Sequence, residues 1–339
     1  MIDLRSDTVT KPTPAMREAM LAAPVGDDVF GEDPSIAALE AEAAELFGME
    51  AGLFCPSGTM TNQIAVKVHT QPGQEVICHA YSHVFNYEGG GIAFNSGCQV
   101  RPVDGPQGKM QAPAVRAALQ NPLDPHAAPS RLLVAENTTN KGGGACYDLS
   151  ELEELQQLAQ EAGLAFHLDG ARIWNALVAK KQEPAAYGRL FDSISVCLSK
   201  GLGCPVGSLL LGSKNFIEKG RFVRKKMGGG MRQAGILAAA GRYALRHHRE
   251  RLAEDHEKAQ RLKTALLNCA WVEKVEPVET NIVIFALKEG KSASAFSESL
   301  QAQGILHTKM GPNKLRFVAH LDVSSEEIEA VASVLNNLP

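Results

Sequence analysis

The chain alternates between short apolar runs and longer stretches in which apolar residues recur every three or four positions. Ile36, Leu39, Ala43, Leu46 and Phe47 fall at helical spacing between Pro34 and Gly48, which predicts a helix over 33–48 with an acidic outer face. The stretch 149–162, closed by Gly163, repeats the pattern. The runs 75–78, 131–135, 165–168, 193–198 and 206–211 are nearly continuous in apolar residues, as expected of strands buried on both faces. Strands separated by helices predict an α/β fold: a mostly parallel sheet with helices on both faces and ligand groups on loops at the carboxyl ends of the strands.

Beyond these lies a basic, glycine-rich stretch, 214–232, with Arg221, Arg224, Lys225, Lys226 and Gly228-Gly229-Gly230, which reads as a linker or a functional loop. A long polar helix over 234–268 then leads to strand 281–287, helix 293–303, strand 314–319 and a last helix from Ser324, a βαβα-like arrangement. We therefore expect a large domain over 1–240 and a smaller α+β domain over 241–339.

Composition narrows the function. With 339 residues, 45% of them hydrophobic and 21% charged, the chain can bury a large core without staples. A net charge of -4 supplies no general attraction for nucleic acid or an anionic membrane, so a small-molecule partner is expected. The seven cysteines are scattered and never spaced CxxC, which suggests neither a disulfide framework nor a zinc site and suits a reducing cytoplasm. No metal is expected. The first residues lack a basic stretch followed by an apolar one, and no run approaches a membrane span, so neither export nor anchoring is expected.

Four stretches carry candidate chemistry. In Ser193-Ile-Ser-Val-Cys-Leu-Ser-Lys200-Gly-Leu-Gly203 a buried strand runs into a lysine, whose partly desolvated amine suits it as a nucleophile toward an aldehyde. An ordinary lysine at a strand end would look the same on its own. In Ala165-Phe-His-Leu-Asp169-Gly-Ala-Arg172 a strand ends in an acid that needs a cationic partner, either an arginine of the protein or a protonated ring nitrogen. Cys55-Pro-Ser-Gly58-Thr59-Met-Thr-Asn62 opens a helical pattern, and its free amides with the Thr59 hydroxyl could bind a phosphate or simply cap a helix. His83, after a strand end and before Gly89-Gly90-Gly91, could stack on an aromatic ring and move protons.

Taken with Leu4-Arg-Ser6-Asp-Thr-Val-Thr10, Val25-Gly-Asp-Asp-Val-Phe-Gly-Glu-Asp-Pro34, Gly228-Gly-Gly-Met-Arg-Gln233 and Arg316-Phe-Val-Ala-His-Leu-Asp-Val323, these stretches resemble the threonine aldolase and β-eliminating lyase family of fold-type-I pyridoxal 5′-phosphate (PLP) enzymes along essentially the whole chain. The resemblance implies that Lys200 carries PLP as a Schiff base, Asp169 pairs with the pyridine nitrogen and His83 stacks on the ring. It implies that Gly58, Thr59 and Ser199 hold the phosphate, with Arg232 and Lys225 approaching from a neighbouring subunit. Ser6, Arg172 and Arg316 are implied to receive a substrate carboxylate, and the assembly to be a homotetramer built from dimers with shared sites.

The implied activity is cleavage of a β-hydroxy-α-amino acid of the L series, such as threonine or allo-threonine, to glycine and an aldehyde. Two positions depart from the family pattern. Glu136-Asn-Thr-Thr139-Asn140 has threonine where the family often has histidine, and Thr139 can hydrogen-bond but cannot act as a base at neutral pH. Phe30 stands where a tyrosine is frequent, so a larger or more apolar aldehyde portion, as in phenylserine, is an expectation. His83, a water and the cofactor phosphate all stay open as general base. The competing readings are a β-eliminating lyase on the same cofactor, told apart by pyruvate and ammonia, a catalytically degenerate homologue, and a nicotinamide enzyme, for which the chain lacks a GxGxxG after its first strand.

Overall fold

The computed structural model describes residues 1–121 and 123–338. Its centre is a seven-stranded sheet in the order Ala51–Cys55, Ser208–Gly212, Ser193–Cys197, Ala165–Gly170, Ser130–Glu136, Glu75–His79, Gln99–Val103. Only Ser208–Gly212 runs against the rest. Side chains alternate between two separate cores: Phe54, Leu209 and Leu211 point to one face, Leu53 and Leu210 to the other. The first face is covered by helices Pro34–Phe47, Leu149–Ala162, Ile173–Lys180 and Gly235–His247, the second by Gly58–His69, Gly91–Ser96 and Lys214–Lys226. Apart from that one strand, this is the mostly parallel sheet with helices on both faces that the sequence predicts.

The helix ends follow the residues that predicted them. Asp33 caps Pro34–Phe47 by accepting from the amides of Ser35 and Ile36, and Gly48 closes it at φ 63°, a left-handed conformation that costs glycine little. Leu149–Ala162 ends in the same way at Gly163.

Three expectations need correction. Residues 214–226 are neither linker nor loop but a helix capped by Ser213, which buries Phe216, Ile217, Gly220 and Arg224 along one side and turns its other cations outward. The helix expected over 234–268 is two helices, Gly235–His247 and Leu252–Asn268. At the break His248 turns inward to Leu202 O (Nδ1 to O 2.8 Å), and just beyond it Leu252 still belongs to the large core whereas Ala259 and Leu262 belong to the other. The carboxyl-terminal sheet has two strands that sequence reading missed, Val272–Val275 and Thr308–Lys309, and is antiparallel, in the order Thr308–Lys309, Lys314–Val318, Ile282–Leu287, Val272–Val275.

The amino-terminal segment belongs to this second body. Strand Ile2–Asp3 pairs with Ile305–Leu306, and Leu4 is wholly buried in the carboxyl-terminal core before the chain crosses to the large sheet. Among the described residues no helix is long and apolar enough to cross a membrane.

Candidate active site

Three parallel strands deliver charged groups to one end of the sheet. Glu136 and Asp169 are cross-strand neighbours at the ends of Ser130–Glu136 and Ala165–Gly170, and Lys200 follows the end of Ser193–Cys197. The turn holding Lys200 is tight: Gly203 N donates to Lys200 O (2.8 Å), the Thr10 hydroxyl donates to the same carbonyl (2.9 Å), and Gly203 sits at φ 76°. Together with Ser57, Gly58, Thr59, Asn62, His83, Glu88 and Ser199, Asp169 and Lys200 line a cavity of about 290 Å³.

Asp169 is buried with both oxygens engaged, Oδ1 by Ala171 N (3.1 Å) and Oδ2 by Asn62 Nδ2 (3.0 Å). Asn62 also donates to Glu88 (2.9 Å), and Glu88 in turn faces His83 Nδ1 at 3.0 Å. That hydrogen bond is the main reason the His83 pKa is raised above the ordinary imidazole value. Helix Gly58–His69 begins at the cavity wall, and its first turn leaves the Gly58 and Thr59 amides without helical acceptors. Glu136 accepts from the amides of His83 and Asn140. Burial, then the charge of Asp169, pushes its pKa up to about 7.

The other predicted residues lie outside this cavity's lining. Arg172 is buried and bound through two nitrogens to the wholly buried Asp7 (2.8 and 2.7 Å). Arg316, half-buried, donates to Asn140 Oδ1 (2.9 Å) and Arg5 O (3.1 Å), and its buried Nε has no partner. Among the described residues no carboxylate pairs with it. Burial, then the charge of Arg172, draws its pKa down. The Ser6 hydroxyl accepts from Thr8. Thr139 is buried and donates its hydroxyl to Gln107 O (2.8 Å). Phe30 and Lys225 line a different cavity, of about 570 Å³, at the surface, and Arg232 pairs with Asp27 nearby (2.9 Å).

Comparison with known proteins decides the family. The sequence matches the family described as beta-eliminating lyase over residues 3–289. The chain belongs to that family. It is 43% identical to the low specificity L-threonine aldolase of Escherichia coli strain K12 over 334 residues, covering 98% of each chain. It is 41% identical to low-specificity L-threonine aldolase 1 of Arabidopsis thaliana, over 98% of this chain and 94% of the relative. The solved threonine aldolase of Leishmania major superposes with a TM-score of 0.85 at 22% identity, over 99% of this chain and 98% of that one.

The cavity of this chain suits PLP in its donor set. An amine, a buried carboxylate, an imidazole and a helix start with free amides all face the same space. Sequence reading passed over Glu88, Asn62, Glu136 and Asp7, although all four stood inside stretches already singled out. Glu136 and Asp7 carried a usable signal, a carboxylate at a strand end and one next to Ser6.

Proposed function

We propose that the chain is a PLP-dependent carbon-carbon lyase that cleaves L-threonine, L-allo-threonine or related β-hydroxy-α-amino acids to glycine and an aldehyde. The observation that carries this reading is Lys200 and Asp169 facing one cavity from adjacent strands, in a chain 43% identical to an E. coli low specificity L-threonine aldolase. In this reading Lys200 would hold the cofactor covalently through its amine, Asp169 would pair with its ring nitrogen, His83 would stack on its ring, and Gly58, Thr59 and Ser199 would take its phosphate. PLP bound there supplies an electron sink for the pair released as the Cα–Cβ bond breaks.

The protein's own groups do the rest. Arg316, a desolvated cation without an acid of its own, binds the substrate carboxylate through its planar fork. Arg172, neutralised by Asp7, and Ser6 shape the same end. Glu88 keeps the His83 proton on Nδ1, which leaves Nε2 to take the proton of the β-hydroxyl. Thr139, its hydroxyl committed to Gln107 O, is an unsuitable base on position as well as on chemistry.

The same reading extends to assembly and place. A homotetramer of dimers would bring Phe30, Lys225 and Arg232 to a neighbour's site. Phe30 and Phe222, each 73% exposed beside the surface cavity, support such a covered face. Seven buried, unbridged cysteines support the reducing cytoplasm. Two cores, with Leu252 in the first and Ala259 in the second, support a division of the chain into a large and a smaller domain, with its boundary between those two residues rather than at 240.

The test is product analysis of the purified protein with L-threonine, L-allo-threonine and L-phenylserine. Glycine with acetaldehyde or benzaldehyde is expected. A 2-oxo acid and ammonia in place of glycine would overturn the aldolase reading in favour of β-elimination.

A further inference from the structure

A line of buried polar side chains leaves the cavity at Asp169 and ends at the far end of helix Gly58–His69. Asn62 Oδ1 lies 3.2 Å from His167 Nε2, His167 Nδ1 lies 2.8 Å from Ser193 Oγ, and Ser193 Oγ lies 2.8 Å from His69 Nε2. His167 and Ser193 are cross-strand partners, and His167 precedes Asp169 by two on the same strand, so the two side chains face the same side. Asn62 and His69 are two turns apart on the helix that lies across that face. Neither His167 nor Ser193 touches the cavity, and both are wholly buried.

The hydrogen bonds can run in only one direction. Asn62 Nδ2 faces two carboxylate oxygens, of Asp169 and Glu88, which accept, so the amide oxygen must face His167. His167 Nε2 therefore carries a proton. Burial pushes the His167 pKa down to about 3, so the ring is neutral and its Nδ1 must accept from the Ser193 hydroxyl. Ser193 O, 3.1 Å from the same nitrogen, has no proton to offer. With the hydroxyl spent on His167, Ser193 Oγ accepts from His69 Nε2. His69 is also neutral, its pKa pushed down to about 4 by burial, with its ring stacked on Phe216. Every donor in the line points toward Asp169, and aligned bonds in a dry interior strengthen one another.

We infer that His69, Ser193, His167 and Asn62 form a one-way hydrogen-bond relay that fixes the Asp169 carboxylate in place for the ring nitrogen of the cofactor. His167 and Ser193 are then positioning residues for the reaction. The relay rests on the proposed placement of PLP against Asp169. It also explains a histidine in the middle of an otherwise apolar strand, where a leucine would pack without any demand for partners.

The experiment uses purified holoenzyme and two readouts besides turnover: the rate of cofactor loss on dilution, and the pH dependence of the visible cofactor band. His167→Leu removes the relay and is expected to speed cofactor loss by about tenfold and to move the pH profile of the band. His167→Gln can donate to Asn62 and accept from Ser193, and is expected to return both readouts to within about twofold of the original. Ser193→Ala, which breaks the line further from the cofactor with almost no change of volume, is expected to fall between, at about threefold. If His167→Leu does not fold, Ser193→Ala against His167→Gln decides. Unchanged cofactor loss and pH profile in the variants, whatever happens to Tm, would overturn the relay. Absence of any cofactor band in the unaltered protein would overturn the PLP reading instead.

Discussion

Asp169 and Arg316 are the two charges on which the proposed chemistry turns, and the protein surrounds them in opposite ways. Asp169 sits at a strand end in the large sheet, with both oxygens bonded to donors of its own chain. Arg316 comes from the carboxyl-terminal sheet, touches only neutral oxygens, and keeps a buried Nε unbonded next to a second arginine. Arg172 shows what satisfaction looks like, since Asp7 cancels its charge at 2.7 Å. In the proposed reading the cofactor end is thus organised in advance, whereas the substrate end holds an electrostatic deficit that an incoming carboxylate would fill. Unmet charge at the second end is a reason for binding there, because a buried cation gains most from the first anion that reaches it.

The sharpest way to break the first end is Lys200→Ala. Glycine formation is expected to fall by roughly 10³-fold or more, since a nucleophilic amine has no substitute nearby, and borohydride should no longer fix the cofactor to the chain. Arg316→Lys tests the other end. It keeps the charge but loses the fork, and should raise KM for L-threonine by about 10- to 100-fold while the cofactor content read by absorbance stays unchanged. Loss of cofactor in that variant would mean that the two ends are not separate.

Glu136 spans the two, because one oxygen takes the amide of His83 and the other the amide of Asn140, which holds Arg316. A carboxamide offers only one acceptor to two donors, so Glu136→Gln should lower kcat/KM by about tenfold in steady-state assays. Its pKa of about 7 against an ordinary 4.5 also fixes the sign of a stability effect. Between these values the folded protein binds more protons than the unfolded chain. Stability from Glu136 is therefore full below about 4.5 and is lost as pH rises through about 7. Tm measured across that window should fall less steeply in Glu136→Gln than in the unaltered protein. The smallest effect is expected of Thr139→Ser, which keeps the bond to Gln107 O: the ratio of threonine to allo-threonine cleavage should stay within about twofold.

The same contrast runs through what the amino-acid sequence reveals. Lys200 and Asp169 end apolar strands, and a charge that interrupts such a run stands out from its neighbours in the chain alone. Strand Ala51–Cys55 does not: it is five residues with a glycine second, and that glycine is there because a Cβ on Gly52 would meet the Glu40 backbone at 2.8 Å. Periodicity could not show the break at 248–251 either, because polar residues continue the helical pattern while the chain changes cores. Asn62 and His167 matter through partners far away in sequence, as with Asn62 and Asp169, 107 residues apart, and nothing local marks such pairs. Family resemblance named Arg316 and Arg172 together, but only the fold separates a neutralised arginine from one left without an acid.

The pairing of Ile2–Asp3 with Ile305–Leu306 also sets a timetable for biosynthesis. Leu4 and Asp7 leave the ribosome well before the strand and core that receive Leu4. At roughly 10 residues per second the leading segment waits about half a minute for its partners. During that interval the large sheet can form around Lys200 and Asp169, but Arg316 does not yet exist. A nascent chain would therefore be ready for the cofactor well before it is ready for an amino acid, and a chain released early would lack the grip on substrate.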